Sequence, residues 1–192
     1  MTYKIKISLL DLEPEIWRII EINSDAGLLD LHAVIQTAMG WTNSHLHHFI
    51  KNNVFYALPT EGSEDLEYET IDEETVKISD IISKKNEKII YEYDFGDGWE
   101  HIVELLEISE KKIKFPKCLD GGNACPPEDC GGVPGYENLL EVISDPENEE
   151  YEDMIEWLGG EFEPSHFNVD EANKRVKKYR ELCDLSLYLN NF

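Results

Sequence analysis

The chain opens on a strict alternation. In "YKIKISLL" the apolar residues Tyr3, Ile5, Ile7 and Leu9 take every second position, which puts them on one face of a strand. "EIWRIIEI" repeats the pattern after a "DLEP" break. Pro14 has no N–H to give a ladder and suits the connection. Together the two segments predict a β-hairpin. The period then lengthens. Leu28, Leu31, Ile35 and Ala38, within "NSDAGLLDLHAVIQTAMGW", recur at the spacing of one helical face. Ser24 or Asp25 is the expected N-cap, and Gly40 the expected left-handed stop.

"HLHHFI" and "VFYALP" predict two more strands, turned by "KNN". Residues 61–74, "EGSEDLEYETIDEE", carry eight acids and no base, which predicts a solvated loop. "ISDIISKKN" predicts a short helix. A second hairpin follows: "KIIYEYDF", a Gly–Asp–Gly turn that supplies positive φ at low cost, then "WEHIVELLEI". Ile89, Tyr91, Tyr93 and Phe95 share its inner face. "KIKFPKC" predicts one further strand. From Cys118 to Gly132 the chain reads "CLDGGNACPPEDCGG", which matches neither period. Beyond it "GYENLLEVI", "ENEEYEDMIEWLGG" and "NVDEANKRVKKYRELC" are helical. Asn168 caps the last of these, with Glu171 three residues on, and Ala172, Val176, Tyr179 and Cys183 form its buried stripe.

Strands come first and helices last, so the expected class is α+β. A largely antiparallel sheet is built from the first ~118 residues, with one early helix, and packs against C-terminal helices. The expectation is one domain over 1–192: β-rich to 118, a loop over 118–134, helical over 135–190. A chain of 192 residues can bury roughly 70% of its unfolded surface without disulfides. No apolar run approaches the ~20 residues of a membrane span, and "MTYKIKISLLDLEPEIW" lacks the apolar core of a signal peptide. A reducing cytoplasm is the expected compartment, and the cysteines are expected as thiols rather than disulfides. The formal net charge of −24 repels phosphate backbones and anionic lipid. The expected partner is therefore another protein, with nucleic acid and membrane excluded as generic ligands.

Candidate chemistry centres on two groups. Cys118, Cys125 and Cys130 are spaced Cys-x6-Cys-x4-Cys, wider than the close pairs of a self-contained zinc knuckle. Zinc there needs a fourth ligand from His101, His45, His47 or Asp129, and His101 is the first choice because its hairpin leads towards the loop. Without metal, the same stretch is a stiff connection, its prolines fixing φ and its glycines permitting reversals. The second group is His45, His47, Asp94, Asp97 and His101. His45 and His47 at i, i+2 share a strand face and offer a metal pair; otherwise they are ordinary strand histidines. Asp94-Phe95-Gly96 is not a kinase motif, because the strand lysine and catalytic loop are missing. The basic run Lys174, Arg175, Lys177, Lys178 and Arg180 is a solvated face, with Glu171–Arg175 and Lys177–Glu181 at ion-pair spacing.

Five separated stretches, "LHAVIQTAMGW", "HLHHF", "YEYDFGDGWEH", "CLDGGNACPPEDCGGVPGYENLLEVI" and "WLGGEFEPSHFNVDEAN", together resemble the family named after the third open reading frame of a root-inducing plasmid. The resemblance runs from about residue 3 to about residue 180. It implies a compact α+β fold and brings no catalytic residue to carry over. The function expected from all of this is a non-enzymatic binding or interaction module, with a structural metal in the cysteine loop. The alternative is a metal-dependent hydrolase with His and Asp ligands from the sheet.

Overall fold

The computed structural model describes residues 1–59 and 70–182. Its strands form one eight-stranded sheet in the order β5-β4-β3-β6-β7-β1-β2-β8. Every pairing is antiparallel except β4 with β5. The α+β class and the largely antiparallel sheet are as expected.

Both predicted hairpins form. β1 (Thr2–Leu9) pairs with β2 (Trp17–Asn23), and Tyr3, Ile5, Ile7 and Leu9 are all buried. β6 (Lys88–Tyr93) pairs with β7 (Trp99–Ser109). Ile89, Tyr91 and Tyr93 face the core, while Phe95 is 48% exposed. The alternation fails there because Asp94 takes a φ of 58°, which ends the strand two residues early and turns Phe95 out onto His48. β3 (His47–Lys51) and β4 (Val54–Ala57) make the third hairpin.

Helix α1 (Leu28–Met39) is buried almost all round, rather than along one stripe. The sheet lies on one side of it and α5 (Val169–Val176) on another. Its buried polar residues are therefore bonded: Gln36 Nε2 donates to the Tyr91 hydroxyl at 2.9 Å, and His32 Nδ1 meets the same hydroxyl at 2.9 Å. The N-cap is Gly27, not Ser24 or Asp25; the Gly27 N–H donates back to Asp30 Oδ2 at 3.3 Å. Gly40 ends the helix at φ 112° as expected. The helix has no basic residue in its last turn, and arginines from elsewhere serve it. Arg18 Nε donates to Ala38 O, and Arg175 Nε to Thr37 O, each at 3.0 Å. Both cations thus meet the negative end of the helix dipole.

Three further predictions are corrected. Of the acidic segment 61–74, residues 70–72 form β5 (Thr70–Asp72), Glu73 is fully buried, and the stretch before residue 70 lies outside the described residues. The last sheet strand is β8 (Lys117–Gly122), so Cys118 and the "LDGG" after it are strand, not loop. The glycines make this strand fit: a Cβ on Gly121 would lie 2.6 Å from Phe167, and one on Gly122 2.6 Å from Trp17. The final helix stops at Val176, followed by a 3-10 turn over Tyr179–Glu181; Cys183 lies outside the described residues. α2 (Ile78–Ile81), α3 (Gly132–Ser144) and α4 (Tyr151–Leu158) complete the chain. Asn168 caps α5 by accepting from the N–H groups of Asp170 and Glu171. Among the described residues no helix is long and apolar enough to cross a membrane.

The connection from β8 to α3 is seated on the β6–β7 turn. Gly131 N–H donates to Asp97 Oδ2 at 3.1 Å. Gly132 has φ 67°, and a Cβ there would collide with the Asp97 carbonyl oxygen. Gly98 has the same φ with nothing within 4 Å. Gly98→Ala should therefore cost about 1 kcal/mol, the backbone term alone. Gly132→Ala should cost about 2–3 kcal/mol, because the loop must also move. Urea unfolding measures both; equal losses would show that the loop is not seated on the turn.

Candidate functional site

Three connections meet at one end of the sheet: 41–46 after α1, the β6–β7 turn 94–98, and residues 123–131 before α3. Glu128 fastens them. Its carboxylate accepts from the Tyr93 hydroxyl at 2.7 Å, from the Thr42 N–H at 3.1 Å and from the Thr42 hydroxyl at 2.5 Å, and Ser44 Oγ lies 3.4 Å away. Burial, then the bond to Glu128, raises the Tyr93 pKa, so the phenol keeps its proton and donates. The Tyr93 oxygen in turn accepts from the Ser44 N–H at 2.9 Å. Trp41 Nε1 donates to Pro126 O at 3.0 Å and fixes the loop at its other end.

Over this floor the side chains of His45, Asp94 and Asp129 converge. His45 Nε2 lies 3.0 Å from Asp129 Oδ1 and 3.5 Å from Asp94 Oδ2, and the three ligand atoms all fall within 4.8 Å of one another. Asp94 is buried, and its second oxygen accepts from the Gly96 and Asp97 N–H groups at 3.0 and 3.3 Å. One oxygen thus holds the turn while the other faces His45. Asp129 is the exposed member, its side chain 70% accessible. A cation ~2.1 Å from two ligand atoms separates them by roughly 3.0 Å at a right angle and roughly 3.4 Å at the tetrahedral angle. The two distances from His45 match that spacing for one imidazole and two carboxylates.

The other expected ligands go elsewhere. His45 precedes β3 and does not share a strand face with His47. His47 is buried, stacked on His32 with ring centroids 3.5 Å apart, and bonded to buried Glu73 at 3.1 Å. Desolvation pushes its pKa down to about 3 and raises that of Glu73, so burial disfavours charge on both partners of this hydrogen bond. Glu73 is thus the acidic neighbour of His47 that the solvated-loop expectation hid. Asp97 holds the Gly131 N–H. Cys118 Sγ donates to Asp120 O at 3.4 Å. Cys118, Cys125, Cys130 and His101 do not supply three ligand atoms within 4.8 Å of one another among the described residues. Desolvation raises the pKa of all three thiols, that of Cys130 to about 12, which favours the protonated form.

His101 is fully buried on β7. Its Nδ1 faces two carbonyl oxygens, Trp99 O at 3.0 Å and Tyr91 O at 3.2 Å, so the proton sits on Nδ1 and donates. Nε2 has no hydrogen-bond partner among the described residues, and the ring stands edge-on to Trp41. Desolvation holds the pKa at about 4. Neither expected ion pair of the basic run forms among the described residues: Glu171 meets His166 at 3.2 Å, and Glu181 meets Lys178 at 4.0 Å.

Comparison with known proteins places these features in a family. The sequence model of the plasmid pRiA4b ORF-3-like proteins matches residues 1–171, and the chain belongs to that family. It is 35% identical over 176 residues to the uncharacterized protein y4hQ of Sinorhizobium fredii, covering 90% of this chain and 89% of that one. Its fold is similar to the crystal structure of MM3350, a protein of unknown function from Methanosarcina mazei Go1. That match has a TM-score of 0.79 and 36% identity, covering 88% of this chain and 96% of the other.

The His101 environment makes a pH prediction. Its folded pKa of about 4 lies below the ordinary 6.5, so the unfolded chain binds the proton first. The stabilisation is complete above pH 6.5 and is lost as pH falls towards 4, at about 1.4 kcal/mol per pH unit. His101→Asn should remove one proton's worth of that slope. Urea unfolding at pH 7, 6 and 5 checks it; parallel curves for both proteins would contradict the buried neutral ring.

Proposed function

We propose that this plasmid pRiA4b ORF-3-like protein is a binding module whose site is completed by a divalent cation at His45, Asp94 and Asp129. One observation carries the proposal: a histidine and two aspartates from three separate connections converge at metal-ligand spacing. Imidazole with carboxylates suits manganese or zinc better than calcium. The cation would tie Asp129, on the loop, to His45 and Asp94 on the sheet, adding a second fastening beside Glu128. No nucleophile or general base is needed for that role.

Manganese and zinc are each expected to raise the melting temperature of chelator-treated protein, and Asp129→Asn to abolish the rise while leaving the metal-free melting temperature unchanged. Elemental analysis separates this site from zinc on the cysteines. Metal retained in Asp129→Asn but lost in Cys125→Ser would transfer the assignment to Cys118, Cys125, Cys130 and His101. Metal unaffected by either substitution would remove both.

A metal-dependent hydrolase is the second reading, and the exposure of Asp129 favours it. Three protein ligands on an open face would leave positions for water, whose pKa a zinc ion held there would lower towards neutrality. Turnover of ester or phosphodiester substrates by the manganese- or zinc-loaded protein, lost in His45→Ala, would establish it. The binding-module proposal expects no turnover.

A further inference from the structure

On the other side of the same loop lies a cleft of about 350 Å³. It opens between the end of α1, residues 124–128 and the segment that leads into α5. Two guanidinium groups line it, from Arg18 and Arg175. Arg18 is 2% exposed, and four of its five N–H groups point at neutral carbonyl oxygens. Nε meets Ala38 O at 3.0 Å, Nη1 meets Trp17 O at 2.7 Å and Gly122 O at 2.9 Å, and Nη2 meets Asn123 O at 2.9 Å. Arg175 donates from Nε to Thr37 O, and its Nη2 lies over Gly40, 3.7 Å from where a Cβ would stand.

Neither arginine has a carboxylate within ion-pair distance among the described residues. That is notable in a chain with 41 acids. The two acids that also line the cleft are engaged: Glu171 with His166, Glu128 with Thr42 and Tyr93. The end of α1 turns about half a negative charge towards the two guanidinium groups. Burial, with a lesser contribution from the Arg175 cation, holds Arg18 below the ordinary arginine range. The rest of the lining is largely apolar and aromatic, with Trp41, Phe162 and Phe167 among it, and Phe167 stacks on Arg18 at 4.5 Å.

From these facts we infer that the cleft is a binding site for a small aromatic monocarboxylate. The carboxylate pairs with Arg175 and the remaining Arg18 N–H, and the ring lies against Trp41. Guanidinium groups match a carboxylate's planar geometry. The volume suits a small organic ligand. Because Glu128 and Glu171 also line the cleft, a monoanion meets less repulsion there than a dianion. This site is independent of the cation at His45, Asp94 and Asp129, because none of those three lines the cleft.

The test is calorimetric titration of the full chain with benzoate and with cinnamate, beside benzamide and inorganic phosphate. Shifts of the Trp41 indole N–H in NMR spectra locate the binding. Saturable binding of the carboxylates with movement of the Trp41 signal is expected, with benzamide at least about tenfold weaker. Arg175→Gln, an exposed position, should weaken benzoate by about tenfold to a hundredfold and keep a cooperative unfolding transition, its melting temperature slightly lowered by the lost bond to Thr37 O. Four results would each overturn the inference: no saturable binding of either carboxylate; benzamide as tight as benzoate; benzoate binding unchanged in Arg175→Gln; or phosphate tighter than benzoate.

Discussion

Everything at the functional end of this protein depends on how one carboxylate is held. Glu128 sits on a loop with almost no regular structure, yet it accepts hydrogen bonds from Thr42, after α1, and from Tyr93, at the end of β6. A loop of this composition has little apolar surface of its own to bury, so polar anchoring must order it. Charge-assisted hydrogen bonds are the strong kind, and those to Glu128 act together with Trp41 on Pro126 and Asp97 on Gly131. Pro126 and Pro127 reduce the freedom that ordering has to overcome. The outcome is a rigid crossover from the sheet into α3 that also roofs the end of the sheet.

Rigidity lets adjacent residues serve different places. Glu128 lines the arginine cleft, and the next residue, Asp129, joins His45 and Asp94. A loop free to slide could hold neither position. The sheet contributes in kind: Asp94 uses one oxygen to shape its own turn and the other to face His45. The buried layer beneath is paired in much the same way, with exceptions among the described residues such as His101 Nε2 and Trp99 Nε1. His32, Gln36 and Tyr91 share one hydroxyl, and His47 leans on Glu73. In such an interior an unpaired polar group is costly.

Periodicity made most of the fold legible. Strands with one buried face announce themselves through Tyr3, Ile5, Ile7 and Leu9, and Asn168 marks its helix by the chemistry of its cap. Where local pattern and tertiary contact disagree, the pattern misleads. Gly121 and Gly122 have turn composition but lie in β8, because Phe167 and Trp17 occupy the space their side chains would need. Thr70–Asp72 is too short to show alternation and gains strand geometry from β4. At the candidate site, His45 and Asp94 were visible as a pair of ligand types close to predicted turns. Asp129 was visible only as a donor for the cysteines, and no local signal says that it turns towards His45 instead. Arg18, on a strand otherwise read by its alternation, gave no sign of lining a cleft formed by residues more than a hundred positions away.

The proposed cation set is the central claim, and anomalous diffraction tests it most directly. Crystals grown with manganese should give an anomalous peak within ~2.2 Å of His45 Nε2 and of one oxygen each from Asp94 and Asp129, and crystals of Asp129→Asn should lack it. A peak on the cysteines, or no peak at the sheet end in crystals that hold manganese elsewhere, would contradict the account.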